Sequence, residues 1–188
     1  YKNTNKKEII TFEGAFHGRT FGSLSAGQKE KDKDIFQPLL QGFKKIPFNN
    51  IDKLKENINE NVAAVIIEPI QGEGGVIPAS LKFLEELKKI CLKYESLLFL
   101  DEVQCGFGRS GKLFSYEWSK IEPDIMAVAK GMGSGFPIGA CLATEKASIG
   151  MVKGTHGSTF GGNPLAVSVG KAVLSEITSK FFLKNVDF

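Results

Sequence analysis

Three short apolar runs each end in a charged residue and then break into glycine. Val62–Ile67 stops at Glu68 and continues as PIQGEGG. Leu97–Leu100 stops at Asp101 and continues as EVQCGFGRSG, and Ile125–Ala129 stops at Lys130 and continues as GMGSG. If the runs are parallel strands, all three charges fall on the carboxyl edge of one sheet, where ligands of open α/β sheets bind. Glycine there lets the backbone turn sharply or approach a ligand closely. Taken singly, Asp101 and Lys130 are ordinary strand-end charges or the halves of an ion pair. Taken together, on one rim and each beside a glycine-rich loop, they favour a site.

The chemistry such a pair serves is specific. A lysine attacks a carbonyl only as the neutral amine, and a free lysine has a pKa of about 10.4. Desolvation at the end of a buried strand lowers that value, so the position predicts a dry, neutral Lys130. An aspartate is the partner expected for a pyridinium nitrogen, whose retained proton lets the ring absorb the electrons of a carbanion. An aldehyde-binding lysine with a pyridinium-binding aspartate describes the needs of pyridoxal 5′-phosphate (PLP).

Such placement requires strands joined by crossovers. Ile9–Phe12 and Ile138–Ala143 add two more apolar runs, and none of the five alternates with polar residues. That pattern predicts strands buried on both faces. Ile51, Leu54 and Ile58 repeat at helical spacing. So do Leu81, Leu84, Leu87, Cys91 and Tyr94, with Glu85 and Glu86 early and Lys88, Lys89 and Lys93 late, as the helix dipole prefers. Asn163 and Pro164 read as an N-cap and first helical position, with Leu165, Val169, Val173 and Ile177 as the apolar face. Between Asp101 and Lys130 there is room for one crossover helix around LFSYEWSKI, which would make their strands neighbours. Strands alternating with helices predict an α/β fold, a mainly parallel sheet flanked by helices.

The chain has 188 residues, 42% hydrophobic and 24% charged, with a net charge of +3. This suits one substantial domain and argues against nucleic acid as partner. The basic stretches NKKE and QKEKDKD read as solvated faces. No apolar run reaches membrane-spanning length and the first residues show no secretory signal. Cys91, Cys105 and Cys141 are odd in number and far apart, which fits a reduced, cytoplasmic compartment. His17 and His156 form no recognisable metal motif, so no metal is expected. The chain starts YKNTNKKE and ends FFLKNVDF, which reads as a piece of a longer protein.

The stretches FHGRT, IIEPIQGEGGV, LFLDEVQCGFGRSGKLF, PDIMAVAKGMGSGFPIGA and THGSTFGGNPLA, in that order between Phe16 and Ala166, closely resemble the class III (ω-amino) aminotransferases of PLP fold type I. The resemblance implies a ping-pong transaminase of arginine biosynthesis that moves the ω-amino group of N-acetylornithine to 2-oxoglutarate. Ornithine, succinylornithine and γ-aminobutyrate transaminases share the same stretches and stay open as alternatives. It implies that Lys130 carries the cofactor and shuttles the proton, and that Asp101 holds the ring nitrogen. Gln104 would bind the ring 3′-oxygen, Phe16 would stack on the ring and Val103 would close its other face. Arg19 would take a substrate carboxylate, and Glu73 would swing between an arginine and the substrate. Glu68 would support the site from behind, and His17 would be a local structural or ring-side residue. Ser158 and Thr159 would reach across a homodimer to the partner's phosphate. Within such a protein, residues 1–188 would form the central part of the large PLP-binding domain. The main phosphate loop, the amino-terminal segment and the carboxyl-terminal small domain would lie outside the chain. A cofactor-free, degenerate scaffold is the non-enzyme alternative, against which the presence of Lys130, Asp101, Gln104 and Thr159 argues.

Overall fold

A computed structural model describes residues 4–27, 35–179 and 181–186. Along the chain run β1 (Glu8–Phe12), α1 (Phe21–Gly27), β2 (Phe43–Ile46), α2 (Ile51–Asn57) and β3 (Val62–Ile67). A small hairpin of β4 (Ile70–Gln71) and β5 (Ile77–Pro78) follows, then α3 (Leu81–Lys93), β6 (Leu97–Asp101) and β7 (Ile125–Val128). The last elements are β8 (Ala140–Ala143), α4 (Glu145–Ser148) and α5 (Pro164–Ile177). Six strands form one sheet in the order β2-β1-β3-β6-β7-β8, parallel except for the antiparallel β7–β8 pair. From β1 the chain steps outward to β2, then returns to place β3 on the other side of β1. The order therefore reverses between β1 and β3, and a crevice opens at the carboxyl ends flanking such a switch.

Register decides which residues share a face. Ile10 lies beside Val65 and Val65 beside Leu98, and Ile67, Leu100 and Met126 form the next row. All six are buried, and with Phe12, Phe83, Leu84 and Leu87 five of them form the main core, Met126 belonging to a second, smaller cluster. Phe12 meets Phe83 edge to face, with ring centroids 5.7 Å apart. Helix α3 presents Phe83, Leu84, Leu87, Ile90 and Cys91 to that core, and the Ser80 side chain caps it by accepting from the Phe83 N–H. Burying one Leu of this kind contributes about 1.5–3 kcal/mol.

The expected helix around Ile51 and the Asn163 cap are both present, the latter accepting from the Ala166 N–H at 2.9 Å. Five expectations need correction. Strands β3, β6 and β7 are sealed on one face only, Ile66, Phe99, Ile125 and Ala127 on the other being half-buried, whereas β1 is covered on both. Strand β8 is exposed along its length, because it is an edge strand with β7 as its one partner in the sheet. Helix α5 turns Ala166, Gly170 and Ile177 inward, with Val169 and Val173 half-buried, so Leu165 is exposed. The crossover from β6 to β7 makes those strands neighbours, yet LFSYEWSKI forms a single 3₁₀ turn at Ser115–Trp118 rather than a helix. Within NKKE, Lys6 is not merely solvated: its ammonium donates to the carbonyls of Tyr94 and Glu95, at the carboxyl end of α3 where a cation is favoured. The stretch QKEKDKD lies outside the described residues.

Glu102 explains why the crossover coils. It is fully buried, and its carboxylate accepts from the N–H groups of Ser115 (3.0 Å) and Tyr116 (2.8 Å) and from the Cys105 thiol (3.3 Å). The start of the 3₁₀ turn is thereby tied back to the end of β6. Glu102→Ala strands two inward-facing N–H groups at about 1–3 kcal/mol each. The expected result is a lowered denaturant midpoint, with protease cleavage appearing first between residues 103 and 114. A midpoint unchanged from wild type would remove Glu102 from this role.

Candidate active site

Four strand ends, not three, supply the site. Phe16, His17 and Gly18 follow β1, Glu68 and Glu73 follow β3, Asp101, Val103 and Gln104 follow β6, and Lys130 follows β7. These nine residues line one cavity of ≈ 220 Å³. The loop after β1 was read only through its resemblance, although IITF too is followed by a charge and a glycine, Glu13 and Gly14. Its place beside the switch point brings it to the same rim as the rest.

Asp101 is 8% exposed and its carboxylate is held from two directions. Oδ1 accepts from the Val103 N–H at 3.0 Å, and Oδ2 lies 2.7 Å from His17 Nδ1. No ion pair joins Asp101 to Lys130 among the described residues, so that part of the simpler reading of the two charges fails. Glu68, 5% exposed, spans two loops: Oε1 accepts from the Phe16 N–H at 2.9 Å and Oε2 from the Gly72 N–H at 3.4 Å. The Gln71 amide, buried by the same hairpin, donates to the Glu13 carbonyl at 2.8 Å. The β1 loop is thus fastened at Glu13 and at Phe16. A Cβ at Gly72 would sit 1.1 Å from Gln104 Oε1, so a larger residue there would push the Gln104 side chain out of its place.

Lys130 departs from expectation. Strand β7 ends at Val128, so Lys130 stands on a 3₁₀ turn beyond the sheet, and it is exposed rather than dry. Its backbone is left-handed, φ 42°, a conformation that costs a side-chain-bearing residue roughly 1–2 kcal/mol. Arg19 is exposed and outside the cavity lining; its guanidinium lies 5.3 Å from the centroid of the Phe16 ring. Glu73 lines the cavity but is exposed. Ser158 and Thr159 are exposed and away from the lining, in a loop where Ser158 Oγ accepts from the Gly161 N–H at 2.9 Å. Cys105, beside Gln104, is no nucleophile: burial pushes its thiol up to about 12.

The lining fits an aromatic heterocycle carrying an aldehyde. A buried carboxylate with further lone pairs suits a ring N–H, a phenyl ring and an isopropyl group suit two ring faces, and an amine stands at the rim. Lys130 is the one lysine or arginine of the lining, so a phosphate on such a ring needs partners from outside it.

Burial raises the Glu68 carboxyl above its ordinary 4.5, against the downward pull of the Phe16 N–H and of His17. The folded state then keeps a proton that the unfolded chain has lost. Stability contributed by Glu68 therefore falls as pH rises from 4.5 through the raised value. Glu68→Gln removes this contribution. The difference in denaturant midpoint between wild type and variant should change across that window and be constant on either side; a difference independent of pH would contradict the assignment.

The whole chain, residues 1–188, matches the family model for class-III aminotransferases. An acetylornithine aminotransferase of Mesorhizobium japonicum is 52% identical over 178 residues, covering 95% of this chain and 45% of the relative. One from Bacillus cereus is 50% identical over 185 residues, covering 98% and 48%. The chain thus spans about half the length of the relatives it matches. Among solved structures, the ornithine aminotransferase of Toxoplasma gondii superposes with a TM-score of 0.87 at 34% identity, over 92% of this chain and 41% of that one. That enzyme holds PLP at partial occupancy in its active site. N-acetylornithine aminotransferase from Stenotrophomonas maltophilia gives 0.76 at 37% identity, over 98% and 42%.

Proposed function

The chain belongs to the class-III aminotransferases, and from that premise we propose that it is part of a PLP-dependent transaminase acting on N-acetylornithine and 2-oxoglutarate in arginine biosynthesis. The observation that carries the reading is the cavity in which buried Asp101 and the Lys130 amine meet, lined also by Phe16, Val103 and Gln104. The donor is read from the names of relatives at about half identity. The mainly parallel sheet with flanking helices is fold type I, as in the aminotransferases it superposes on.

PLP, when bound, supplies an electron sink for the pair left behind as the donor carbon loses its proton. Lys130 would hold the cofactor's aldehyde carbon until the donor's amine takes its place, and the amine so released would move the proton at the donor carbon. Asp101 accepts from the ring nitrogen and keeps its proton in place. Gln104 donates to the 3′-oxygen, while Phe16 and Val103 close on the two ring faces. Arg19 takes a carboxylate in its planar fork, and Glu73 yields the place of the donor's tail to the second carboxylate of 2-oxoglutarate. Ser158 and Thr159 serve the phosphate of a second copy in a homodimer, which accounts for their distance from the cavity of their own chain. The chain forms the central part of a large cofactor-binding domain, a reading supported by its covering 45% and 48% of two relatives' length. No helix among the described residues is long and apolar enough to cross a membrane, and Cys91, Cys105 and Cys141 are free. A cytoplasmic enzyme fits both.

In the full-length protein, borohydride reduction followed by peptide mapping should place the pyridoxyl label on Lys130. Lys130→Ala should abolish transfer from N-acetylornithine while retaining some cofactor. A label on Lys153 or another lysine would sink the assignment, and a faster turnover of ornithine or γ-aminobutyrate would change the donor.

Arg19→Lys should raise the KM for 2-oxoglutarate by about tenfold, the equivalent of one charged hydrogen bond, because an ammonium cannot form two parallel bonds. An unchanged KM would remove Arg19 from the substrate carboxylate.

A further inference from the structure

Building on the transaminase reading, we propose that His17 is a positioning residue for the reaction: its Nδ1–H fixes the Asp101 carboxylate in the orientation and charge state that the cofactor's ring nitrogen requires. The contact is short, 2.7 Å between Nδ1 and Oδ2, and both side chains are nearly enclosed, at 6% and 11% exposure. An ionised carboxylate can only accept hydrogen bonds, so the proton of this contact sits on Nδ1. Val103 N–H occupies Oδ1 in the same way. Two donors from two loops leave the carboxylate little freedom to rotate, while both oxygens keep lone pairs for a donor in the cavity.

The other ring nitrogen makes the case stronger. His17 Nε2 is buried and without a hydrogen-bond partner. A buried polar atom left unpaired is costly, and packing alone would favour an apolar side chain of similar size. The imidazole is therefore explained by what Nδ1 does rather than by space-filling. Its placement is also over-determined. Ala15 N–H donates to the Phe12 carbonyl at 3.3 Å, and Phe16 N–H to Glu68. Helix α1 closes against the same loop through Gly27, where a Cβ would come within 2.8 Å of the His17 nitrogen. Three elements thus set the backbone from which the imidazole reaches Asp101. Glu68 lines the same cavity, and its charge interacts with both His17 and Asp101.

The test compares His17→Asn with His17→Leu in full-length holoenzyme. The two replacements have nearly the same shape, and only asparagine keeps a donor near the place of Nδ1. His17→Leu should slow the single-turnover rate with the amino donor by about tenfold or more, the scale on which lost orienting partners act at other ligand sites, and displace the absorption band of bound PLP. His17→Asn should restore both towards wild type. Nitrogen-15 NMR of the wild-type protein, with His17 assigned by its loss in the Asn variant, should show Nδ1 protonated. Equal behaviour of the two variants, or an unprotonated Nδ1, would overturn the inference while leaving the transaminase reading intact. Wild-type protein that takes no pyridoxyl label at Lys130 would overturn both.

Discussion

Three carboxylates buried along one sheet edge, Glu68, Asp101 and Glu102, must each be met by donors, and the loops of the site are shaped by that requirement. Among the described residues, the hydrogen bonds that meet them come from backbone N–H groups, the Cys105 thiol and the His17 imidazole. Glu102 is answered by the start of the β6–β7 crossover, Glu68 by the loop after β1 and the hairpin after β3, and Asp101 by Val103 and His17. Backbone donors can satisfy a carboxylate only if the chain comes to it. The folded path of residues 102–118 and 13–18 follows from where the acids lie.

That dependence sets the division between what was legible in the sequence and what was not. Glu68, Asp101 and Lys130 were visible because each interrupts an apolar run and precedes glycine, a local pattern with one structural meaning at a sheet edge. The strands and α3 were visible for the same reason: Leu84, Leu87 and Cys91 repeat at the helical period and are buried accordingly. The missing crossover helix was not, because LFSYEWSKI has adequate local propensity and is overridden by Glu102, an acid thirteen residues before Ser115. Strand β2 carries Lys44 and Lys45, so it lacked the apolar signal; at the edge of the sheet Lys44 pairs with Glu8 at 2.7 Å. The bond from His17 to Asp101 spans 84 residues and leaves no trace in either segment alone.

Lys130 shows the opposite limit. Its position after IMAVA was read correctly, but its surroundings were not, since β7 ends two residues earlier than a buried lysine would require. Order along a chain locates a residue at a sheet edge far better than it tells how deeply the residue sits there. Depth depends on what lies over the edge, and the residues over this one come from the β1 loop and from Phe136, Pro137 and Ile138, all distant or turned by glycine.

The reversal of strand order between β1 and β3 has a kinetic meaning as well. Parallel strands cannot pair until long intervening segments have closed, and rates of folding fall as contacts become more distant along the chain. The bonds that define the site span 52 residues from Phe16 to Glu68 and 84 from His17 to Asp101. A partly synthesised chain that stops before β6 lacks the second of them. A cavity that needs both bonds cannot form before β6 has joined the sheet, and any ligand that needs it selects for chains in which the sheet has reached that point.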